Sequence, residues 1–217
     1  MKLFLASSGL EYIKTFVGRE AEKTKLLFIP TAGNLDEDVW WIDKDRDVLH
    51  KMGFQIAELD IESASEDEMK SQLAATDIVY VAGGNTFHFL KQLRVTGFDK
   101  LLDDYVRNGG LYAGASAGAL IAGPDIGAIS SIDEPEKVTG LESTKGMGWV
   151  EVVPIPHYDM KARTQSIDEI KAKYSDKFEM VLLTDDQALL VEDSEWKVID
   201  SPRSELEHEW FNKSHEE

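Results

Sequence analysis

The chain has 217 residues, 42% of them hydrophobic, so it can bury a sizeable core, and we expect a single domain. No apolar run approaches the roughly 18 residues of a membrane span, so we expect a soluble, cytoplasmic protein without membrane partners. The formal net charge of -18 would repel nucleic acid, and the absence of cysteine excludes disulfides and thiolate chemistry.

Short apolar runs alternate with helical patterns through the first half of the chain. Strands are predicted at 2–6, 25–30, 54–61, 77–82 and 111–115. Helices are predicted at 36–52, 66–75, 87–93 and 98–108, with Ser65 as the cap of the second. Strands and helices that alternate in this way form right-handed crossovers, so the predicted fold class is α/β with a mostly parallel sheet covered on both faces.

The second half continues with a strand at 150–156, a helix at 164–174 and a strand at 178–184. The segment 187–200 is typical of a hairpin that turns at Asp193–Ser194 and adds an antiparallel edge. We place one α/β domain at 1–202 and a charged C-terminal tail at 203–217, in which Trp210 and Phe211 can dock.

The stretch "LYAGASAG" places Ser116 between Gly114 and Gly118, directly after a predicted strand. This is the context of a nucleophile elbow, in which glycines relieve crowding at a strained turn that exposes a serine hydroxyl. A tight packing turn would explain the same glycines. Because open α/β sheets carry active sites at strand carboxyl ends, the position favours a nucleophile.

A nucleophilic serine needs a base, and His157 is the best candidate. It follows a predicted strand in "IPHYD", whereas the other four histidines lie in predicted helices or in the tail. The base in turn needs a carboxylate, and Asp133 or Glu134 lies between serine and histidine in chain order. Asp159 is a further candidate, although its closeness to His157 favours an outward orientation or a substrate contact.

Acyl transfer also needs backbone N–H donors for the developing oxyanion. Ala117, directly after the serine, can supply one, and Gly84 in "VAGGNTF" can supply the other. The same glycine-rich turn is also compatible with a generic strand-to-helix connection or a phosphate nest.

Together, "AGGNTFHFL", "GGLYAGASAGALIAGP" and "PHYD" resemble serine peptidase family S51, which includes peptidase E and the cyanophycinases. The resemblance implies a Rossmann-like three-layer fold related to class I glutamine amidotransferases, with no metal and no organic cofactor. It assigns the nucleophile to Ser116, the base to His157 and the oxyanion donors to Gly84 and Ala117. The family's acid position falls on Ser131 here, so a small insertion must bring Asp133 or Glu134 into place.

The implied activity is hydrolysis of dipeptides or short peptides through an acyl-enzyme, by a monomer or homodimer. The family's arginine for an aspartyl carboxylate lies further past the histidine than Arg163 does. The candidate substrate contacts are Asn85, Thr86, Tyr158 and Arg163. Two alternatives stay open: hydrolysis of another amide or ester by the same machinery, and a ligand-binding α/β module with an inert serine.

Overall fold

The computed structural model describes residues 1–193 and 195–214, and its described part is built on a seven-stranded sheet. The first five strands are β1 (Lys2–Ala6), β2 (Lys25–Ile29), β3 (Gln55–Glu58), β4 (Ile78–Val81) and β5 (Leu111–Ala115). The remaining four are β6 (Val153–Ile155), β7 (Met180–Leu182), β8 (Gln187–Glu192) and β9 (Glu195–Asp200).

The strand order in the large sheet is β3-β2-β4-β5-β1-β8-β9. The first five strands of that order are parallel, and β8 and β9 add an antiparallel edge. Strands β6 and β7 pair in parallel as a separate two-stranded sheet. The predicted α/β class with a mostly parallel sheet is confirmed.

Helices connect the strands and cover both faces of the sheet. The first four are α1 (Ile13–Val17), α2 (Trp40–Lys51), α3 (Glu66–Ala74) and α4 (Thr86–Thr96). The others are α5 (Phe98–Arg107), α6 (Ala117–Leu120), α7 (Thr164–Tyr174) and α8 (Glu205–Lys213). Ser65 caps α3 as predicted, since its side chain accepts a hydrogen bond from the Glu68 amide; such a cap is worth about 1 kcal/mol.

Alternation along the central strands divides the interior into two layers. In β1, Leu3 and Leu5 face a core shared with α3 to α7, whereas Phe4 and Ala6 face a core shared with α1 and α2. Each fully buried leucine or phenylalanine side chain contributes roughly 1.5–3 kcal/mol relative to exposure. The two layers hold the sheet rigid and fix its strand ends, where the candidate site lies.

Element types agree with the sequence expectations, and most differences are at boundaries. Strands predicted at 54–61 and 150–156 shorten to β3 and β6, and the helix predicted from residue 36 begins only at Trp40. Pro154 and Pro156 explain part of the shortening of β6, because proline cannot donate to a strand ladder.

The C-terminal tail predicted at 203–217 forms α8 over its described part, and α8 packs on α2. Trp210 docks by donating from Nε1 to Asp47 over 3.1 Å, and Phe211 lies edge-on to Trp40. The hairpin of β8 and β9 is present, while Ser194 of its predicted turn and His215 lie outside the described residues. In the described ranges, no helix has both the length and the apolar character needed to cross a membrane.

Candidate active site

The site forms where several strands end at one edge of the sheet. Ala6 pairs with Ala115 at the ends of β1 and β5, so Ser7 and Ser116 emerge side by side. Strand β4 ends beside β5, and the turn containing Gly84 follows it. Carboxyl ends of parallel strands meet at one crevice, which is why these segments converge.

Ser116 sits in a strained turn between β5 and α6. Its backbone has φ 50° and ψ -106°, and a non-glycine residue held at positive φ stores roughly 1–3 kcal/mol. A Cβ atom on Gly114 would lie 2.4 Å from the Gly118 carbonyl, and one on Gly118 would lie 2.3 Å from the Val81 oxygen. The glycines therefore permit close packing, and that packing holds the half-buried Ser116 in its strained conformation.

A chain of hydrogen bonds joins three side chains across this edge. His157 Nε2 lies 3.0 Å from Ser116 Oγ, and His157 Nδ1 lies 2.6 Å from Asp185 Oδ1. With the Nδ1 proton directed at the carboxylate, Nε2 is left to accept the serine proton. The arrangement can thus generate an alkoxide-like nucleophile with a base that is oriented by an acid.

The small sheet brings the histidine and the acid together. His157 follows β6 and Asp185 follows β7, and the pairing of Ile155 with Leu182 aligns the two strand ends. His157 has φ 61°, and its amide donates to Ser7 Oγ over 2.8 Å.

Two further contacts fix the acid. Ser7 Oγ donates to Asp185 Oδ1 over 3.4 Å, and Asp159 Oδ1 accepts from the Asp185 amide over 2.9 Å. Asp159 therefore helps to fix the backbone of Asp185 and does not hydrogen-bond His157 within the described residues.

Asp185 is held in its ionised form. Its burial works to raise its pKa, but the hydrogen bond from His157 and the charges of His157, Arg203 and Lys44 outweigh burial and lower the pKa below its ordinary value. A carboxylate that stays ionised can stabilise the imidazolium that forms when the serine proton is transferred.

The two carboxylates expected to orient His157 lie elsewhere. Asp133 Oδ2 accepts from the Thr86 amide over 2.9 Å, and the Glu134 side chain pairs with Lys137. Neither hydrogen-bonds His157 within the described residues, so the expectation that Asp133 or Glu134 fills this position is corrected in favour of Asp185. The reason is topological: the two-stranded sheet of β6 and β7 places the end of β7, rather than the segment after α6, beside the imidazole.

Asp133 nevertheless faces the site. It lines the same cavity as Ser116, and burial raises its pKa against the opposing effects of Thr86 hydrogen bonding and of the Arg163 and His157 charges. It is thus a carboxyl group available to a bound molecule.

The turn after β4 adjoins the serine. A Cβ atom on Gly83 would lie 3.3 Å from Ser116 Cβ, while one on Gly84 would lie 2.3 Å from the backbone of Ala32. Gly84 also has φ 145°, so only glycine fits there without strain. Within residues 1–193 and 195–214, neither the Gly84 amide nor the Ala117 amide donates a hydrogen bond, which leaves both donors for an oxyanion.

Of the predicted substrate contacts Asn85 and Thr86, only Asn85 lines the cavity. Asn85 lines the cavity, but its side chain caps α4 by accepting from the His88 amide and ties down the Glu134 carbonyl. Thr86 is buried and contributes its amide to Asp133.

Of the other two predicted substrate contacts, Arg163 lines the cavity and Tyr158 does not. Arg163 is half-buried and lines the cavity, and its guanidinium makes no hydrogen bond or ion pair with any described residue. Its burial lowers its pKa, opposed by the charges of Asp133 and Asp185. Tyr158 is 43% exposed, lies beneath the Lys171 ammonium group and does not line the cavity. The expectation that Tyr158 contacts the substrate is therefore corrected.

The cavity has a volume of about 350 Å³, which suits a small ligand. Its lining includes the charged residues Asp133 and Arg163 and the aromatic rings of α2 and α8, namely Trp40, Trp41 and Phe211. Trp41 Nε1 donates to the Gly83 carbonyl over 3.2 Å, which places its indole against the same turn that adjoins Ser116. Among the described residues, no group of three or more His, Asp or Glu side chains is arranged to hold a metal ion.

Sequence reasoning missed Asp185, Ser7 and Arg203. A signal for Asp185 exists, because "TDDQ" follows the apolar run "FEMVLLT" and places a carboxylate at a strand end. Ser7 also follows a predicted strand. Arg203 carries no comparable signal, since it lies in a segment without strand or helix periodicity.

Comparisons with known proteins cover nearly the whole chain. The model described as "Peptidase family S51" matches residues 3–199. An uncharacterized peptidase of Listeria innocua is 35% identical over 195 residues, covering 89% of this chain and 93% of its own. Peptidase E of a Nostoc species is 30% identical over 195 residues, covering 86% of this chain and 76% of its own.

Solved structures agree on the fold. A Listeria monocytogenes crystal structure with a provisional peptidase E assignment has a TM-score of 0.85 and 29% identity, covering 92% of this chain and 98% of its own. A peptidase from an acI-B1 Actinobacterium has a TM-score of 0.69 and 22% identity, covering 92% of this chain and 87% of its own. The second likeness shows the shared fold only.

Proposed function

Because this chain belongs to peptidase family S51, we propose that it hydrolyses dipeptides or short peptides with Ser116 as the nucleophile. The observation that carries the proposal is the hydrogen-bonded chain from Ser116 through His157 to Asp185, with distances of 3.0 and 2.6 Å. Each distance is within the reach that proton transfer requires.

In the first half-reaction, Ser116 Oγ attacks the peptide carbonyl carbon while His157 Nε2 takes the hydroxyl proton. The carbonyl oxygen becomes an oxyanion and accepts hydrogen bonds from the Gly84 and Ala117 amides. His157 then gives its proton to the departing amine, and the C–N bond breaks to leave an acyl-enzyme. Water attacks this ester by the same steps and frees Ser116.

Two charged residues of the cavity lining indicate which substrate groups the cavity can bind. Arg163 has no described ion-pair partner, so a substrate carboxylate can take its planar fork without displacing a protein group. The Asp133 carboxyl group beside it can receive the α-ammonium group of a peptide. We therefore propose a preference for short peptides with an acidic residue next to the scissile bond.

Labelling with a fluorophosphonate probe tests the nucleophile directly. Wild-type protein should be labelled and Ser116→Ala should not, while His157→Gln should label at least 100-fold more slowly. A folded wild-type protein that stays unlabelled at saturating probe would contradict the proposal and favour the ligand-binding alternative.

The substrate class is tested by incubation with Asp-, Glu- and neutral N-terminal dipeptides and tripeptides, read by mass spectrometry. Arg163→Met should lose about tenfold or more in kcat/KM on acidic peptides and little on neutral ones. Lys161→Met, an exposed neighbour outside the cavity lining, is the matched control. Equal effects of the two substitutions would reject the role of Arg163, and cleavage of other amides or esters alone would favour the second hydrolase alternative.

A further inference from the structure

The C-terminal segment reaches back to the acid of the site. Arg203 lies beyond the residues 3–199 that match the family model. Its Nη1 atom donates to Asp185 Oδ2 over 3.2 Å, on the carboxylate whose other oxygen is bonded to His157. Arg203 side-chain atoms also contact both carboxylate oxygens of Asp186, over 3.0 and 3.1 Å.

The segment that carries Arg203 is itself firmly anchored. Ser201 Oγ donates to the Gly9 carbonyl over 2.8 Å, and the Ser201 amide donates to the Asp186 carbonyl over 2.9 Å. On the other side, Ser204 caps α8 in a capping box with Glu207, a side chain that is fully buried. Arg203 is thus fixed on both sides, and its side chain is only 17% exposed.

From these contacts we infer that Arg203 is a positioning residue that fixes the Asp185 carboxylate and limits the basicity of His157. The inference rests on the proposed function, in which that histidine is the base. Nη1 holds one carboxylate oxygen, so the other keeps its short contact with Nδ1. The guanidinium charge also offsets part of the stabilisation that the Asp185 carboxylate would give to a protonated imidazole.

Other charges act on the same pair and stay constant in the test. The charged groups that act on Asp185, His157 or Arg203 from neighbouring elements are Lys44, Asp133, Asp159, Arg163 and Asp186. Two arginines lie near this pair, Arg163 and Arg203. In the described chain, only Arg203 is hydrogen-bonded to Asp185.

The test is an NMR titration of the His157 ring, assigned by its loss in His157→Gln, in wild type and in Arg203→Met. Removal of the cation should move the His157 midpoint to higher pH by about half a unit or more. Arg203→Lys, which keeps the charge but not the fork, should return most of that shift. Arg46→Met is the matched control, because Arg46 also pairs with two carboxylates, Asp43 and Glu58, outside the cavity lining.

Kinetics supply the second measurement. Arg203→Met should lower kcat by about tenfold, and the acidic limb of its kcat/KM profile should move upward with the NMR midpoint. An unchanged midpoint in folded Arg203→Met, or the same shift in Arg46→Met, would overturn the inference. The titration does not depend on turnover, so failure of wild type to react with a serine probe would reject the proposed function separately. If Arg203→Met does not fold, Arg203→Gln removes the same charge with a polar side chain; an upward midpoint shift in folded Arg203→Gln supports the inference, and a wild-type midpoint overturns it.

Discussion

Replacement of Gly84 by alanine should damage both the proposed oxyanion turn and the stability of the fold. The added Cβ would lie 2.3 Å from the backbone carbon and oxygen of Ala32 and 2.6 Å from the Gly33 nitrogen. These are backbone atoms, so no side-chain rotation relieves the overlap. The residue would also keep φ near 145°, a conformation that alanine rarely adopts.

The two effects can be given magnitudes. Strained backbone costs about 1–3 kcal/mol and overpacking costs a similar amount, so the free energy of unfolding should fall by about 2–6 kcal/mol. For a domain of this size, the melting temperature should fall by roughly 5–15 °C. Displacement of the Gly84 amide should lower kcat by about 100- to 1000-fold, the usual effect of losing one oxyanion donor.

Gly97→Ala is the control for this change. Gly97 also has positive φ, at 75°, but a Cβ atom there would meet nothing within 4 Å. Its replacement should cost about 1 kcal/mol and leave kcat unchanged. Thermal unfolding and dipeptide hydrolysis of both variants measure the difference. If Gly84→Ala matched Gly97→Ala in both assays, the close approach to Ala32 would have no part in stability or catalysis.

Three further predictions follow from the site. Asp185→Asn should lower kcat by about 10⁴-fold, because the imidazole loses its orienting carboxylate, whereas Asp133→Asn should act mainly on KM; steady-state kinetics separate them, and the reverse pattern would restore Asp133 as the acid. Folding lowers the pKa of Asp185, so the ionised carboxylate stabilises the fold at pH values above 3.8, its ordinary pKa. This stabilisation is lost as the pH falls through the lowered pKa of the folded state. In urea unfolding between pH 7 and pH 3, the free energy of unfolding should therefore fall less steeply with decreasing pH in Asp185→Asn than in wild type. An unchanged slope would mean that ionisation of Asp185 contributes negligibly to stability. Phe211→Ala should raise KM by about three- to tenfold for peptides with a large apolar residue beside the scissile bond, because a cavity-lining ring is lost; alanyl-alanine should be unaffected, and a uniform change would count against a specificity role.

The sequence predicted the fold well because its strong signals are local. Apolar strands such as "DIVYVA", the Ser65 cap and the glycines around Ser116 act within a few residues of themselves. The contact of Ser116 with His157 was predictable too, since each residue directly follows a strand and strand ends gather at one edge.

The acid was not predictable from chain order. Asp185 reaches His157 because β6 and β7 pair outside the main sheet, and that pairing has no local signature in a chain with 41 acidic residues. Arg203 is harder still, because its position depends on an irregular segment anchored at Gly9 and Asp186. Long-range placement of this kind follows from tertiary packing, which periodicity does not encode.

The reactive groups are distributed over two separate sheets. The proposed nucleophile, Ser116, follows a strand of the seven-stranded sheet, whereas the proposed base and its carboxylate follow the short strands β6 and β7, which have three residues each. Val153, Ile155 and Val181 of this pair are buried in the core that also covers the large sheet, so heating should abolish activity together with the global fold rather than before it.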